Sequence, residues 1–436
     1  MTRSFKGGVK MRLCRLFGLA FLMLGLSFLS TAFAENIVLN AASIYNQSVA
    51  DLNSIPKGFR VNADDLICGG WSEKYLYLKD ILAKNQKAVA KFKEAANLQY
   101  CDFTFGKAIE KSVNSSFPIR FELLEVLRLV MIEARLFESE NKYDLALNDY
   151  IVVLRFENHL NQQKDFVMLS NIMAIVAQNV VSEPLAQYIN RKELSVQECL
   201  KLLDELNSLR KNRAGLDKAF EEEKEIYKNT IRMLGEQAKR DGYYVDSFFQ
   251  KMYKEFDERQ EEFSKYLIAA YKENKPNIYN ERIIQFENEV KKEAKFFNVD
   301  WESIKGFVSL SPGIKTPELI AKIIFVKLPS YSKNINSYYI ALSKFNVLLT
   351  AVAVKLYEIK NAKAPDDLQM LLPEYLSEIP EDPFNNFSPL KFERKDSGWV
   401  VYSLGPDKQD NHATIIYGGR EKDRDAEGDI VFISKY

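Results

Sequence analysis

Aspartates are crowded into one segment near the end of the chain, residues 404–429. Carboxylates held close together repel one another, and a divalent cation relieves that repulsion. Calcium takes about six to eight oxygen ligands, which carboxylates and backbone carbonyls can supply. The spacing is not that of an EF-hand, because no D-x-[DN]-x-[DN]-G run is present. The segment therefore predicts a calcium site of another kind. Its candidate carboxylates are Asp407, Asp410, Asp423, Asp425 and Asp429.

A second interpretation of the same segment needs no metal. Basic residues lie among the aspartates, and in a solvated loop they would neutralise the acids directly. Both interpretations stay open from the residues alone. The basic residues are Lys408, Arg420, Lys422 and Arg424.

Catalytic chemistry has little support elsewhere in the chain. Of the two histidines, His159 ends a predicted helix, where a cation favours the helix dipole, and His412 lies in the acidic segment as a neighbour of the metal. No nucleophile-elbow, zinc-protease, P-loop or dinucleotide-binding motif is present, so no catalytic residue is predicted. Paired carboxylates that cleave glycosidic bonds leave no sequence signature. An all-helical carbohydrate-active hydrolase is therefore the enzyme alternative, by fold-level analogy.

The elements that must position the acidic segment form a small α+β ending. The apolar positions of 336–361 predict one long helix. Prolines recur over 365–389, and proline cannot continue a helix interior, so this region is predicted as an ordered loop with one short helix at 367–372. Polar residues at 395–398 between two apolar runs predict a hairpin, and 430–433 is the last predicted strand.

Three motifs in this ending occur in a recognisable order. Asp382-Pro383-Phe384 is followed by Tyr402-Ser403-Leu404-Gly405-Pro406-Asp407 and then by Gly428-Asp429-Ile430. Together they resemble the C-terminal half of the major pseudopilin of type II secretion systems, over 336–436, about a quarter of the chain. The resemblance implies a pseudopilin-like module with a calcium-binding loop.

The resemblance also implies particular ligands. In pseudopilins the loop between the last strands binds calcium through aspartate side chains and backbone carbonyls. Matched residue by residue, the implied ligands are the carbonyl of Leu404 and the carboxylate of Asp407, with Asp410 and Asp429 as further matches. The insertion 413–427 and its basic residues depart from the family pattern.

The place of this module in the chain is not that of a pilus subunit. A pseudopilin carries the module directly after a short leader and one assembly helix, whereas here roughly 300 residues precede it. The preceding part resembles exported bacterial helical proteins of uncharacterised function. The predicted function is therefore an exported, non-catalytic scaffold or binding protein with a calcium-stabilised module, linked to secretion or the cell envelope. Its ligand or partner is not identified by the residues.

The chain divides into four predicted segments. They are a signal peptide at 1–34, an irregular segment at 35–71, a helical domain at 72–329 and the pseudopilin-like module at 330–436. The expected fold class is mainly α, a multi-helix (αα-hairpin) domain followed by a small α+β module with a long helix and an antiparallel sheet.

Helical periodicity predicts the elements of the helical domain at 72–329. The runs 121–137 and 143–156 predict an αα-hairpin. Ser195 has Glu198 three residues later, which is a capping box at a helix start. Further predicted helices cover 72–98, 165–188, 195–209, 280–297 and 316–328.

The first 34 residues have the organisation of a secretory signal. A basic start precedes an apolar run at 16–29, and Ala32-Phe33-Ala34 is an A-x-A cleavage site that leaves Glu35 first. Cleavage predicts a periplasmic or secreted protein with no transmembrane span. The alternative is a retained membrane anchor, for which the run is short.

Charge limits the class of partner. Basic and acidic residues number 60 each, and the signal removes five basic residues and no acidic one, so the remainder has a net charge of −5. Nucleic acid binding needs a basic face, so it is excluded. The expected partner is a protein or another envelope component.

Three cysteines follow the signal: Cys68, Cys101 and Cys199. An oxidising compartment allows one disulfide, and Cys68 with Cys101 is the first pair to test. Three unpaired thiols are the alternative.

Overall fold

A computed structural model describes residues 39–105, 119–165, 167–213, 331–396, 398–418 and 427–434, with isolated positions between 215 and 285. The predicted signal peptide, the helix at 316–328, the helix at 280–297 apart from Gln285, and two of the candidate aspartates, Asp423 and Asp425, lie outside the described residues.

The predicted fold class is confirmed: the chain is mainly α with a C-terminal α+β module. The helices are α1 (Ala41–Ala50), α2 (Phe59–Gly69), α3 (Leu76–Lys84), α4 (Gln86–Ala96), α5 (Leu123–Ser139), α6 (Tyr143–Asn161), α7 (Val167–Ile189), α8 (Val196–Asn212) and α9 (Tyr331–Asn361). The strands are β1 (Glu381–Asp382), β2 (Ser388–Pro389), β3 (Lys391–Lys395), β4 (Gly398–Ser403) and β5 (Ile430–Ile433).

Two short helices correct the expectation of an irregular segment at 35–71. Helix α1 buries Ala41 and Tyr45 completely, and α2 begins after Gly58, whose φ of 82° ends the preceding turn. Both helices are short and carry polar residues between their apolar ones, so their periodicity is weak in sequence.

The predicted helix at 72–98 is also divided. A 3₁₀ turn at Glu73–Tyr75 precedes α3, and α3 ends just before Asn85, whose buried side chain accepts a hydrogen bond from Asn53 N at 2.7 Å and donates one to Ile81 O at 2.8 Å. These bonds satisfy backbone groups at the break, and α4 starts at Gln86.

The αα-hairpin and the capping box are present as predicted. Helices α5 and α6 pack together, and Asn141 makes the turn between them with φ 58°, a conformation that asparagine tolerates. At the start of α8, Ser195 accepts from Glu198 N, and the Glu198 side chain accepts from Ser195 N at 2.8 Å.

Helix α9 is the central element of the module, and it packs against α7, α8 and the sheet. Among the described helices, its segment Ile335–Asn361 is the one long and apolar enough to cross a membrane, with a mean hydropathy of 1.5, and 83% of that window is buried within the protein. Burial against the neighbouring helices therefore explains its apolar composition. The division predicted between 329 and 330 remains a prediction, because the residues just before it lie outside the described ones.

The sheet of the module is an antiparallel meander in the order β3-β4-β5. The predicted hairpin pairs Lys395 with Gly398, and Val401 pairs with Phe392 on one side and Phe432 on the other. Trp399 is fully buried and stacks on Phe432 with ring centroids 5.4 Å apart. This core fixes the end of β4, from which the acidic segment departs.

The three cysteines are free thiols, so the pair Cys68–Cys101 is not bonded in this structure. Cys68 is exposed, whereas Cys101 and Cys199 are buried. Burial raises the pKa of Cys199 to about 12, which keeps this thiol protonated.

Candidate metal centre

Two backbone segments meet at a pair of glycines beside the end of β4. A Cβ on Gly405, which has φ +70°, would lie 2.1 Å from the carbonyl oxygen of Gly428. A Cβ on Gly428, with φ +114°, would lie 2.8 Å from Ile415 O. Only glycine allows this approach and these left-handed φ values. The contact brings the turn after Leu404 against the segment that contains Asp429.

The carboxylate of Asp407 connects these two segments. Its Oδ2 accepts a hydrogen bond from Gly428 N at 2.7 Å, and its Oδ1 accepts one from Gln409 N at 3.2 Å. Each carboxylate oxygen retains a further lone pair for another donor or a cation.

Asp429 is the most enclosed of the predicted ligands, with 0% of its surface exposed. Its Oδ2 accepts from Ala413 N at 2.8 Å and its Oδ1 from Asn411 N at 3.5 Å. Burial raises the pKa of Asp429, and the neighbouring charges of Asp410 and Asp407 raise it further. The hydrogen bonds from the two amides lower this pKa but do not cancel the rise.

The backbone of Asp429 holds the start of the insertion in place. Asp429 N donates to Ile415 O at 2.9 Å, and Tyr417 N donates to Asp429 O at 2.8 Å. Among the residues that the structure describes, no lysine or arginine forms an ion pair with the Asp429 carboxylate. A buried carboxylate held only by neutral amides is costly, and a cation would offset that cost.

Asp410 lies in a separate polar cluster on β3 and β4. Its Oδ1 accepts from His412 N at 3.1 Å and lies 3.1 Å from the Tyr402 hydroxyl, and its Oδ2 is 3.6 Å from Lys391 Nζ. Partial burial alone would raise its pKa, but the bond from His412 N and the nearby Tyr402 hydroxyl hold the pKa of Asp410 below its usual range. Asp410 therefore already has a cation nearby and is the weakest of the predicted ligands.

His412 completes this polar cluster, as the sequence placed it near the acids. Its Nδ1 is 2.9 Å from Glu393 Oε1, an atom that also accepts from Tyr402 OH at 2.7 Å. The hydrogen bond with Glu393 and the negative charges of Asp410 and Glu393 raise the pKa of His412, whose ring is largely exposed.

Three of the four predicted ligands thus belong to the two segments that meet at the Gly405–Gly428 contact. Leu404, Asp407 and Asp429 lie around the Gly405–Gly428 contact, whereas Asp410 points into the neighbouring cluster. Within the described part of the chain, no group of three or more His, Cys, Asp or Glu side chains is arranged to hold a metal ion. The carboxylates of Asp407 and Asp429 supply the hard oxygen donors that calcium takes, and such a site would be completed by backbone carbonyls and water.

Sequence reasoning missed the role of Asp382, which was noted only as part of a motif. Asp382 is 0% exposed, and its carboxylate accepts from Ser403 Oγ at 2.6 Å, Leu404 N at 2.8 Å and Phe384 N at 2.9 Å. Burial raises its pKa against these hydrogen bonds. The one signal in sequence was the acidic pair Glu381-Asp382 between Ile379-Pro380 and Pro383-Phe384, and it does not tell which of the two acids is buried.

The expectation for His159 is wrong. It is buried, and burial lowers its pKa to about 4, so it is not a cation at the end of α6. The carbonyl of Leu98, 2.9 Å from Nε2, can only accept, so Nε2 carries the proton and Nδ1 accepts from Tyr45 OH at 3.1 Å. His159 therefore joins α1 and α6 as a neutral core residue.

One acidic pair in the helical part bears on the enzyme alternative. Glu133 on α5 lies 2.5 Å from Lys93 Nζ, and Asp149 on α6 binds the same ammonium. Asp149 is 2% exposed, and burial raises its pKa to about 7 against the effect of Lys93. The three residues come from three helices, so no spacing in sequence could reveal them.

No family model, curated protein or solved structure matches this chain.

Proposed function

We propose that this protein is an exported, non-catalytic scaffold or binding protein whose C-terminal pseudopilin-like module is stabilised by calcium. The ligands are the carbonyl of Leu404 and the carboxylates of Asp407 and Asp429, with Asp410 in an outer position. The helical part provides the surface for a protein or envelope partner, as part of secretion or of the cell envelope.

One observation carries the calcium proposal: the fully buried Asp429 carboxylate is held by two backbone amides beside the Asp407 turn. Calcium there would neutralise both acids and join the two segments that meet at Gly405 and Gly428. Calcium binding in this loop would raise the free energy of unfolding, because a ligand that binds only the folded state stabilises that state.

The test is thermal unfolding of the purified chain with EDTA and with added calcium, followed by circular dichroism. Calcium at about 100 times its Kd stabilises a folded state by about 2.7 kcal/mol, so a clear rise in melting temperature is expected. Magnesium at the same concentration is the control, since it demands a smaller octahedral site. An unchanged melting temperature, with no calcium in the purified protein, would remove the metal from the proposal.

Export is tested separately by the N-terminus of the protein recovered from the producing bacterium. Intact-mass analysis is expected to give a chain that begins at Glu35 in the periplasm or the medium. An uncleaved chain in the membrane fraction would favour the anchor instead.

A carbohydrate-active hydrolase is the alternative proposal, and Glu133 with Asp149 is the pair that would serve it. A general acid must reach the glycosidic oxygen. Asp149 is buried and shares Lys93 with Glu133, an arrangement better suited to holding α4, α5 and α6 together. If the chain hydrolyses a polysaccharide, and Asp149→Asn abolishes that hydrolysis while the protein stays folded, the hydrolase becomes the preferred proposal.

A further inference from the structure

We propose that Asp382 is the positioning residue of the calcium loop: from the proline-rich loop it fixes the peptide group that presents the Leu404 carbonyl to the ion. This inference rests on the proposed calcium site and adds a residue to it that does not touch the metal.

The first step is the set of hydrogen bonds that the buried Asp382 carboxylate accepts. Ser403 Oγ donates to Oδ1 at 2.6 Å, and Leu404 N donates to Oδ2 at 2.8 Å. Asp382 thereby binds two consecutive residues at the end of β4, directly before the candidate ligands. All of these donors are neutral, so the carboxylate acts as an acceptor that an amide side chain cannot fully replace.

The second step is the orientation of the next peptide group. Gly405 N donates to Ser403 Oγ at 3.3 Å, and that hydroxyl gives its own hydrogen to Asp382. In a trans peptide the N–H and C=O bonds point in opposite directions. Because the Gly405 N–H points toward the Ser403 hydroxyl, the Leu404 carbonyl of the same peptide points away from that hydroxyl.

The third step is the rigidity of the support. Asn346 on α9 donates through Nδ2 to Glu381 O at 2.8 Å, which fixes the residue directly before Asp382. Asp382 and Ser403 are both 0% exposed, so neither side chain can turn to solvent. A chain of hydrogen bonds therefore runs from the core helix through the proline-rich loop to the Leu404–Gly405 peptide.

Partners that orient a metal ligand without touching the metal usually contribute 10- to 100-fold in affinity. Asp382→Asn is expected to weaken calcium binding by about 10- to 100-fold, because an NH₂ group would face the amide donors. Ser403→Ala, which removes the hydroxyl that joins Asp382 to Gly405 N but keeps the bond from Leu404 N, is expected to weaken it by about 10-fold. Ser403→Thr, which retains the hydroxyl, is expected to avoid most of that loss.

The experiment is isothermal titration of calcium into the full chain, at a temperature where circular dichroism shows each variant folded. Asp366→Asn is the matched control: Asp366 lies in the same proline-rich loop, is exposed, and pairs with Arg394 at 2.5 Å. Its calcium Kd is expected to equal that of the wild type. Melting in EDTA is recorded in parallel, since a purely structural role would lower this melting temperature without changing Kd.

The outcomes separate the two proposals. A wild-type chain that binds no calcium overturns the proposed function. A wild-type chain that binds calcium, with Asp382→Asn and Ser403→Ala at unchanged Kd, overturns the positioning role alone. If Asp382→Asn does not fold, the Kd values of Ser403→Ala and Ser403→Thr decide.

Discussion

The side chain of Asp407 accepts a hydrogen bond from the backbone amide of Gly428 at 2.7 Å, although 21 positions separate them in sequence. This bond and the Gly405–Gly428 contact bring the turn after β4 against the segment that leads into β5. The candidate calcium site exists because these two segments touch, so the first prediction concerns the contact itself.

Replacing Gly405 with alanine is expected to destabilise the module. The new Cβ would meet Gly428 O at 2.1 Å, and φ +70° is unfavourable for alanine. The expected loss is about 1–3 kcal/mol in the free energy of unfolding, measured by urea denaturation in EDTA.

Gly69→Ala is the control for that prediction, because nothing lies within 4 Å of a Cβ placed there. It is expected to be neutral or slightly stabilising, since alanine suits a helix better than glycine. Equal losses from the two substitutions would contradict the role assigned to the glycine contact.

A second prediction concerns pH and Asp149. Burial raises its pKa to about 7 in the folded state, so between about pH 4 and pH 7 the folded chain binds a proton that the unfolded chain has released. Stability from this group is fully present below its unfolded pKa and is lost as the pH rises through the folded value.

Asp149→Asn is therefore expected to reduce the fall of stability with rising pH over that window. The change in slope is at most about 1.4 kcal/mol per pH unit for one proton. Urea denaturation at several pH values measures it, with Asp366→Asn as an exposed control. A slope identical to that of the wild type would mean that Asp149 is ionised throughout.

A third prediction concerns the buried ion pair of Glu157 and Arg213, 2.8 Å apart, whose side chains are 1% and 8% exposed. Arg213→Met at pH 8 is expected to cost about 3–5 kcal/mol, because it leaves a buried carboxylate without its partner. The double variant Glu157→Gln with Arg213→Met should lose clearly less than the two single losses combined.

Arg210→Met is the control for this pair, since its partner Glu378 has 72% of its side chain exposed. A loss of no more than about 1 kcal/mol is expected there. If the double variant of Glu157 and Arg213 loses as much stability as the two single variants together, the two charges do not interact.

Local signals in the sequence were sufficient for some of these features. The capping box of Ser195 and Glu198, and the hairpin at Lys395 and Gly398, depend on residues a few positions apart, so their patterns are complete within one short window. The assignment of Asp407 and Asp429 to one site was implied by the motif resemblance.

Other features depend on partners far apart in the chain, and sequence reasoning could not find them. Asp382 meets Ser403 only because the proline-rich loop folds onto β4, and the Lys93 cluster needs three helices in their final places. The charge state of His159 was mistaken because a helix end is not always at the surface, and here it is covered by α1.

The most direct measurement is the stoichiometry of calcium bound to the chain, determined by equilibrium dialysis for the wild type and for Asp407→Asn combined with Asp429→Asn. The account predicts one tightly bound ion per wild-type chain and none on the double variant, with Asp366→Asn like the wild type. No ion on the wild type, or an ion that the double variant retains, would contradict a calcium site at the Gly405–Gly428 contact.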